Sequence, residues 1–390
     1  NSNLKYLCAA GVCFMTLISL NALLRKFNWF IKNKIYEPDL INFLDLVSLG
    51  TICDVVPLIG LNRAIVKQGL KIINLKKNLG LKTLMDVCKI ENKTSTYHLG
   101  YVIGPRINAG GRVGKCSHGA NLLLNNSPKE SFQIANELEK FNTERKKLEK
   151  DLLNVALNTV NKIINDPVLV LHGDDWHEGV IGIIASRIKD KFNKPTVIIS
   201  LNNKIGKASA RSIVGFDMGE AILSALQNKI LIKGGGHKMA GGFSIEVEKI
   251  EKFKEFIIKK FNKKNNVNFK KNCLYLDSSI SASALNLEFY EKVEILAPFG
   301  SGNPEPKFLL EGTKVIKSMI VGEKHIKSVL LTKDGSSIKT ITFNAIETDL
   351  GQFLLNNKTN IFDIVGKLSL NEWKGEKNVE FIIDDISVNK

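Results

Sequence analysis

Apolar positions recur at helical spacing through the first part of the chain, and an alternating period takes over only beyond Pro167. Residues 7 to 24 form an apolar run interrupted by Thr16, Ser19 and Asn21, which predicts a buried helix rather than a membrane span. A second apolar segment, Leu40 to Leu58, opens after Glu37-Pro38-Asp39, is broken by Gly50 and is stopped by Pro57. Ile65, Leu70, Ile73, Leu81, Leu84 and Met85 continue the helical spacing as core positions. Ser127-Pro128-Lys129-Glu130 combines an N-cap, a proline at N1 and a glutamate at N3, so a helix starts there and extends to about Asn165. Charge on several faces between Glu137 and Asp151 predicts a helix bridging two lobes, with Asn142 and Arg145 on a solvated face.

Val168 to Leu171 and Pro195 to Ser200 read as buried strands flanking a helix over Val180 to Ile188. Lys207 to Ser212 follows as a small, polar, basic strand or turn, and Gly215 to Met218 opens another helix. Residues 234 to 242 are glycine-rich, Phe243 to Ile245 continues as a strand, and Glu246 to Phe261 is an amphipathic helix. Asn262 to Asn272, rich in Lys and Asn, reads as a linker. Leu274 to Leu276 predicts a short strand, Ala284 to Leu296 a helix, and Pro298 to Pro306 a turn.

Beyond that turn, β-branched alternation predicts strands near 307–320, 325–332, 337–345, 360–370 and 378–387, with one helix near 346–356. Asp334-Gly335 and Lys374-Gly375 are hairpin turns. Five strands and a helix fit a small barrel of the OB type, whose face commonly stacks single-stranded bases.

A length of 390 residues accommodates two to three domains. The formal charge of +16 favours a polyanionic partner such as nucleic acid. Six cysteines without a C-x-x-C pair act as small hydrophobes, consistent with a reducing cytoplasm and no zinc.

Gly234-Gly-Gly-His-Lys-Met-Ala-Gly-Gly242 reads as a turn in which Gly235 and Gly236 bring bare N–H groups against a phosphate, with His237 among them. Gly104 to Gly114 holds Arg106 and Arg112 in a glycine-rich loop. Such arginines bind phosphate bidentately or pair with a carboxylate, and Arg106 is placed ahead of Arg112 as the phosphate ligand. Ser209, Arg211 and Ser212 add donors without bulk. Asp45 and Asp54 lie in an apolar run; Asp54, where the chain turns, is the metal candidate, whereas mid-helix Asp45 is expected to be hydrogen-bonded or at the surface.

Together, Leu-Gly-Thr-Ile-Cys-Asp-Val-Val-Pro-Leu, Gly-Pro-Arg-Ile-Asn-Ala-Gly-Gly-Arg, Ser-Ala-Arg-Ser, the Gly-Gly-Gly-His stretch and Pro-Phe-Gly-Ser-Gly-Asn-Pro-Glu-Pro resemble, in order and over essentially the whole chain, the RecJ family of the DHH phosphoesterase superfamily. The resemblance implies an α/β fold in which 1–126 is the C-terminal part of a DHH domain and 127–165 a connecting helix. It further implies a DHH-associated domain at 166–262, a linker and small subdomain at 263–306, and an OB-fold domain at 307–390. The implied activity is 5′-to-3′ hydrolysis of single-stranded DNA in repair and recombination at a two-metal centre holding Mn²⁺ or Mg²⁺. Asp54 is then a catalytic metal ligand and Arg106 contacts the DNA backbone. Ser209, Arg211 and His237 bind phosphates near the scissile bond, His237 serving as a phosphate-side donor or acid across a cleft from Asp54 and Arg106. The implied partners are single-stranded DNA, a single-strand-binding protein and a helicase, and the expected state is a cytoplasmic monomer.

One departure is that the family's Asp-rich motifs and Asp-His-His triplet do not occur in residues 1 to 390, and they are expected to precede Asn1. The two-metal site is therefore expected to be incomplete, with negligible nuclease activity for this polypeptide in Mn²⁺. The competing readings are a non-catalytic single-stranded nucleic-acid-binding protein and a DHH oligoribonuclease or cyclic-dinucleotide phosphodiesterase, which would lack the barrel.

Overall fold

The computed structural model describes residues 3–264, 273–357, 360–373 and 375–388. The contacts divide the chain into two units, one comprising Asn1–Leu75, Thr94–Thr96 and Asn272–Lys390, the other Lys76–Lys93 and Tyr97–Lys271.

In chain order the helices and strands are α1 Ala9–Lys26, α2 Trp29–Lys32, α3 Leu44–Cys53, α4 Gly60–Asn74, α5 Leu79–Val87, α6 Gly104–Val113, α7 His118–Leu124 and α8 Pro128–Lys162. There follow β1 Leu169–Asp174, α9 Glu178–Phe192, β2 Thr196–Asn202, β3 Ile205–Arg211, α10 Met218–Gln227, β4 Lys233–His237, β5 Ala240–Glu246 and α11 Ile250–Lys264. The chain continues with β6 Ser278–Ser279, α12 Leu287–Glu294, β7 Phe308–Val321, β8 His325–Leu331, β9 Ser337–Thr342, α13 Asp349–Asn356, β10 Phe362–Trp373 and β11 Glu376–Val388.

In the second unit, α8 starts as the sequence predicts. The Ser127 hydroxyl accepts from the Glu130 N–H at 3.4 Å and Pro128 occupies the first turn. Its C-terminal half buries Leu152, Ala156 and Val160 against one face of a sheet of order β1-β2-β3-β5-β4. Only β1 and β2 are parallel, joined through α9; the other neighbours are antiparallel. Strand alternation sorts the two faces. Leu169, Leu171 and Ile198 meet Val180, Ile184 and Ile188 of α9, while Val168, Val170, Val197, Ile199, Phe243 and Ile245 meet α10 and the Phe253, Ile257 and Phe261 stripe of α11. Each such fully buried side chain contributes about 1.5–3 kcal/mol of transfer free energy.

The solvated face expected for Asn142 and Arg145 is not found. Asn142 is fully buried and the Arg145 guanidinium donates to Glu149 at 2.9 Å and to Asn142 Oδ1 at 3.1 Å. A buried carboxylate requires cations, and Glu149 takes both Arg145 and Arg187.

In the first unit, β7, β8, β9, β11 and β10 pair in sequence and β10 returns to β7, closing a five-stranded barrel. Phe308, Leu310, Ile326, Leu330, Phe362, Phe381 and Ile383 fill it, with Leu354 of α13 against them. The short strand expected at Leu274 to Leu276 lies instead at Ser278–Ser279, beside β7. The linker expected at Asn262 to Asn272 falls largely on residues 265–272, which, with Lys374 of the second hairpin turn, lie outside the described residues.

The N-terminal helices depart from expectation in three places. In α1, only Gly11, Phe14 and Asn21 are buried, and Val12, Leu17, Leu20 and Leu23 face outward. Its apolar residues occupy every face, so contact through one stripe leaves the others open. Gly50 does not break α3; it lets α1 approach, because a Cβ there would lie 2.9 Å from that of Ala10. Asp45 sits in the first turn of α3 rather than mid-helix and accepts the Leu46 N–H at 2.6 Å.

Candidate nucleic-acid interface

The glycine-rich stretch is a hairpin, not a turn. β4 and β5 pair Gly235 with Gly242, Gly236 with Gly241 and His237 with Ala240. Glycine is required there by close packing: a Cβ on Gly236 would meet the Ala240 carbonyl at 2.5 Å, and one on Gly241 the Ile222 side chain at 2.4 Å. Gly235 differs, since a Cβ there would meet nothing within 4 Å.

Register then assembles a face. β3 pairs with β5 through Lys207–Ser244, Ser209–Gly242 and Arg211–Ala240, and β5 pairs with β4 through Ser244–Lys233, Gly242–Gly235 and Ala240–His237. Directly paired residues point to the same side of a sheet. Lys207, Ser209, Arg211, Lys233, Gly235 and His237 therefore share one face, opposite the apolar one built on Ala208, Ala210, Phe243 and Ile245. His237 is exposed, and its Nδ1 accepts the Met239 N–H at 3.4 Å.

The first turn of α9 and the end of α6 enclose this face. Arg112, Glu178, Gly179, Gly182, Lys207, Ser209, Arg211 and Lys233 line a cavity of about 540 Å³ floored by Gly234 and Gly242. His177 caps α9, its Nδ1 accepting the Gly179 N–H at 3.1 Å. Gly182 admits the partners opposite, because a Cβ there would lie 3.0 Å from Ser209 Oγ and 3.2 Å from the Arg211 guanidinium. Arg211 donates to Ser209 Oγ at 3.2 Å, Arg112 donates to the Gly179 carbonyl at 2.9 Å, and Lys207 pairs with Glu178.

Charge at this cavity is unbalanced. Burial lowers the Arg211 guanidinium from its ordinary value, and the neighbouring Arg112 lowers it further. Burial likewise lowers Arg145; Glu149 opposes that shift while Arg112, Arg187 and Arg106 add to it. Arg112 and Arg211 both line the cavity and neither has a carboxylate partner among the described residues, an arrangement that favours an anion between them.

Several expected contacts take other roles. Gly104 to Val113 is α6, a helix continuous with a π-turn over His98–Ile103, rather than a loop. Gly110 serves contact with a neighbour, since a Cβ there would meet the Lys115 carbonyl at 2.7 Å. Arg106 takes the carboxylate pairing. Its Nε and Nη2 reach Glu139 and its Nη1 donates to the Val102 carbonyl at 2.8 Å, so Arg112 is the arginine that faces the cavity. Ser212 is buried with its hydroxyl on the Phe216 carbonyl at 2.6 Å, tying a turn instead of facing outward. Lys207, Lys233 and Glu178 were missed, although counting back by two from Ser209 and Arg211 along a strand reaches Lys207.

Asp54 caps α3 in the first unit, exposed where Val55 turns the chain with φ of +55°. Among the described residues, no three His, Cys, Asp or Glu side chains converge as metal ligands. One carboxylate does not make a two-metal centre, so the residues present do not fit one and no hydrolytic step follows from them.

Residues 149–263 match the family described as the DHHA1 domain, and residues 276–385 the RecJ OB domain. The single-stranded-DNA-specific exonuclease RecJ of Salmonella typhimurium is 33% identical over 98% of this chain and 67% of the relative. The chain belongs to the RecJ family. RecJ of Escherichia coli is also 33% identical over the same shares. The crystal structure of RecJ from Thermus thermophilus in complex with Mn²⁺ superposes with a TM-score of 0.78 at 28% identity, covering 93% of this chain and 51% of that one. A structure of the same protein with Mg²⁺ also has a TM-score of 0.78. The chain thus spans about two thirds of the Salmonella and Escherichia relatives and about half of the Thermus chain.

Proposed function

We propose that the protein acts in 5′-to-3′ degradation of single-stranded DNA, and that the face built on Arg112, Lys207, Ser209, Arg211 and His237 grips its phosphates. The observation that carries this is the convergence of Arg112 and Arg211, neither paired with a carboxylate among the described residues, on a glycine-floored cavity whose other donors include Lys207, Ser209 and Lys233. Arginine forks and a hydroxyl suit phosphate oxygens, and the bare Gly235 surface admits a sugar–phosphate backbone without a side chain in its way. His237, on the same face, is proposed as a phosphate-side donor. The closed barrel adds a second surface of a kind that stacks unpaired bases.

The same reading extends to Mn²⁺ or Mg²⁺ as the metal of the intact activity, supported by the two Thermus structures solved with those ions. It also extends to repair and recombination as the setting, with a single-strand-binding protein and a helicase as partners of a cytoplasmic monomer.

The test is binding of a labelled single strand and of a duplex of equal length in EDTA. The expected result is preference for the single strand, weakened by Arg112→Ala and Arg211→Ala together. Equal affinity for both DNAs, or indifference to the double substitution, contradicts the proposal.

A further inference from the structure

The phosphate cavity has a neighbour of opposite character. Arg112, Glu178 and Gly179 also line a second cavity of about 930 Å³, whose remaining wall includes Asp174, Asp175, Trp176, His177, Ser200, Asn202 and Asn203. That volume accommodates a nucleotide. Two tight turns build it: Asp175 has φ of +59° after β1, and Asn203 has φ of +53° between β2 and β3. Ser200 Oγ donates to the Trp176 carbonyl at 2.5 Å and ties the first turn to β2. The Trp176 indole lies against Gly173, where a Cβ would meet the ring at 2.4 Å.

The chemistry of this wall is specific. Asp174 and Asp175 are exposed, and neither carboxylate has an ion-pair or hydrogen-bond partner among the described residues. Two uncompensated carboxylates repel phosphate, so a phosphate held by Arg112 and Arg211 stays on the other side of Arg112. What a strand offers on this side is a base. Carboxylates accept from the exocyclic amino groups of cytosine, adenine and guanine, whereas the one N–H on thymine's pairing edge is flanked by two carbonyl oxygens that repel a carboxylate; Asn202 and Asn203 can both donate and accept.

Resting on the phosphate-binding reading above, we infer that this second cavity is a nucleobase subsite, in which Asp174 and Asp175 select bases carrying an amino group. The protein then discriminates among single strands by base, although the phosphate wall does not.

Cytosine and thymine homopolymers of equal length, both weakly stacked pyrimidines, read this directly, with deoxyuridine controlling for the thymine methyl. Affinity is measured by fluorescence anisotropy on the whole chain in EDTA, so no metal can bridge the carboxylates. The expected result is tighter binding of oligo-dC than of oligo-dT or oligo-dU, by roughly three- to tenfold, and loss of that preference in the Asp174→Asn, Asp175→Asn double variant. An abasic oligonucleotide of the same length separates the two readings, because it meets only the phosphate wall. Equal binding by wild type and variant shows that the variant is folded. Failure of the abasic strand to bind overturns the phosphate wall. Abasic binding with equal dC and dT affinities, or a preference that survives the double substitution, overturns the base subsite.

Discussion

Lys207 Nζ lies 2.8 Å from Glu178 Oε2 in the lining of the cavity that Arg112 and Arg211 share, with both side chains about half exposed. Glu178 places a carboxylate where the cavity lining otherwise favours an anion, and it occupies one of the cations. An exposed pair of this kind is weak enough for an incoming phosphate to displace. Glu178→Gln is therefore expected to tighten single-strand binding by roughly two- to fivefold, the scale of one exposed pair. Weaker binding would show that Glu178 holds Lys207 in place rather than competing for it.

The glycine hairpin separates packing from function within two adjacent residues. Gly236→Ala forces a Cβ to within 2.5 Å of the Ala240 carbonyl and is expected to cost about 1–3 kcal/mol of stability. Gly235→Ala meets nothing within 4 Å and is expected to shift stability by less than about 0.5 kcal/mol while weakening DNA binding, because its methyl stands on the shared basic face. Thermal melts and anisotropy on the two variants check this, and the reverse pattern would contradict the face assignment.

Arg106 and Arg112 are similar in sequence context and divergent in role. Arg106→Ala strands Glu139 and frees the Val102 carbonyl, so melting temperature is expected to fall while single-strand affinity changes less than in Arg112→Ala. A larger affinity loss for Arg106→Ala would return it to the DNA interface.

The pattern of apolar positions carried the barrel well. The five strands and the helix fall near their expected positions because alternation and hairpin turns are local signals. Local signals also misled. The glycines at Gly104 to Gly114 and Gly234 to Gly242 signal turns by composition, yet they lie in a helix and a hairpin where at Gly110, Gly236 and Gly241 a neighbour leaves no room for a Cβ, and that neighbour is invisible in one sequence. The same gap hid the burial of Asn142, which depends on Arg145 and Glu149 around it. The hydrogen-bonding groups of Ser209, Arg211 and His237 were legible from residue type alone. Their common face was not, because it rests on the register linking β3 to β4 through β5.

Asp45 is 5% exposed, and burial raises its carboxyl above the ordinary value against the opposing Leu46 N–H. A carboxyl raised in the folded state contributes stability below about pH 4, and that contribution is lost as pH rises through the folded value. Asp45→Asn removes the buried charge and keeps an acceptor for Leu46. It is expected to raise Tm at pH 7 by roughly 2 °C, with the gain vanishing toward pH 4. A gain independent of pH would contradict burial of the charged form as the cause.

The central claim is that Arg211 and its neighbours on the sheet bind the phosphates of single-stranded DNA without help from a metal. The most direct measurement is the affinity of the chain for a labelled oligo-dT across a salt series in EDTA, for the wild type and for Arg211→Ala. The expected result is linear loss of log affinity with log salt for both proteins, with the variant's slope shallower by about 0.7, one phosphate contact. Identical slopes and affinities, or wild-type binding abolished by EDTA, would contradict it.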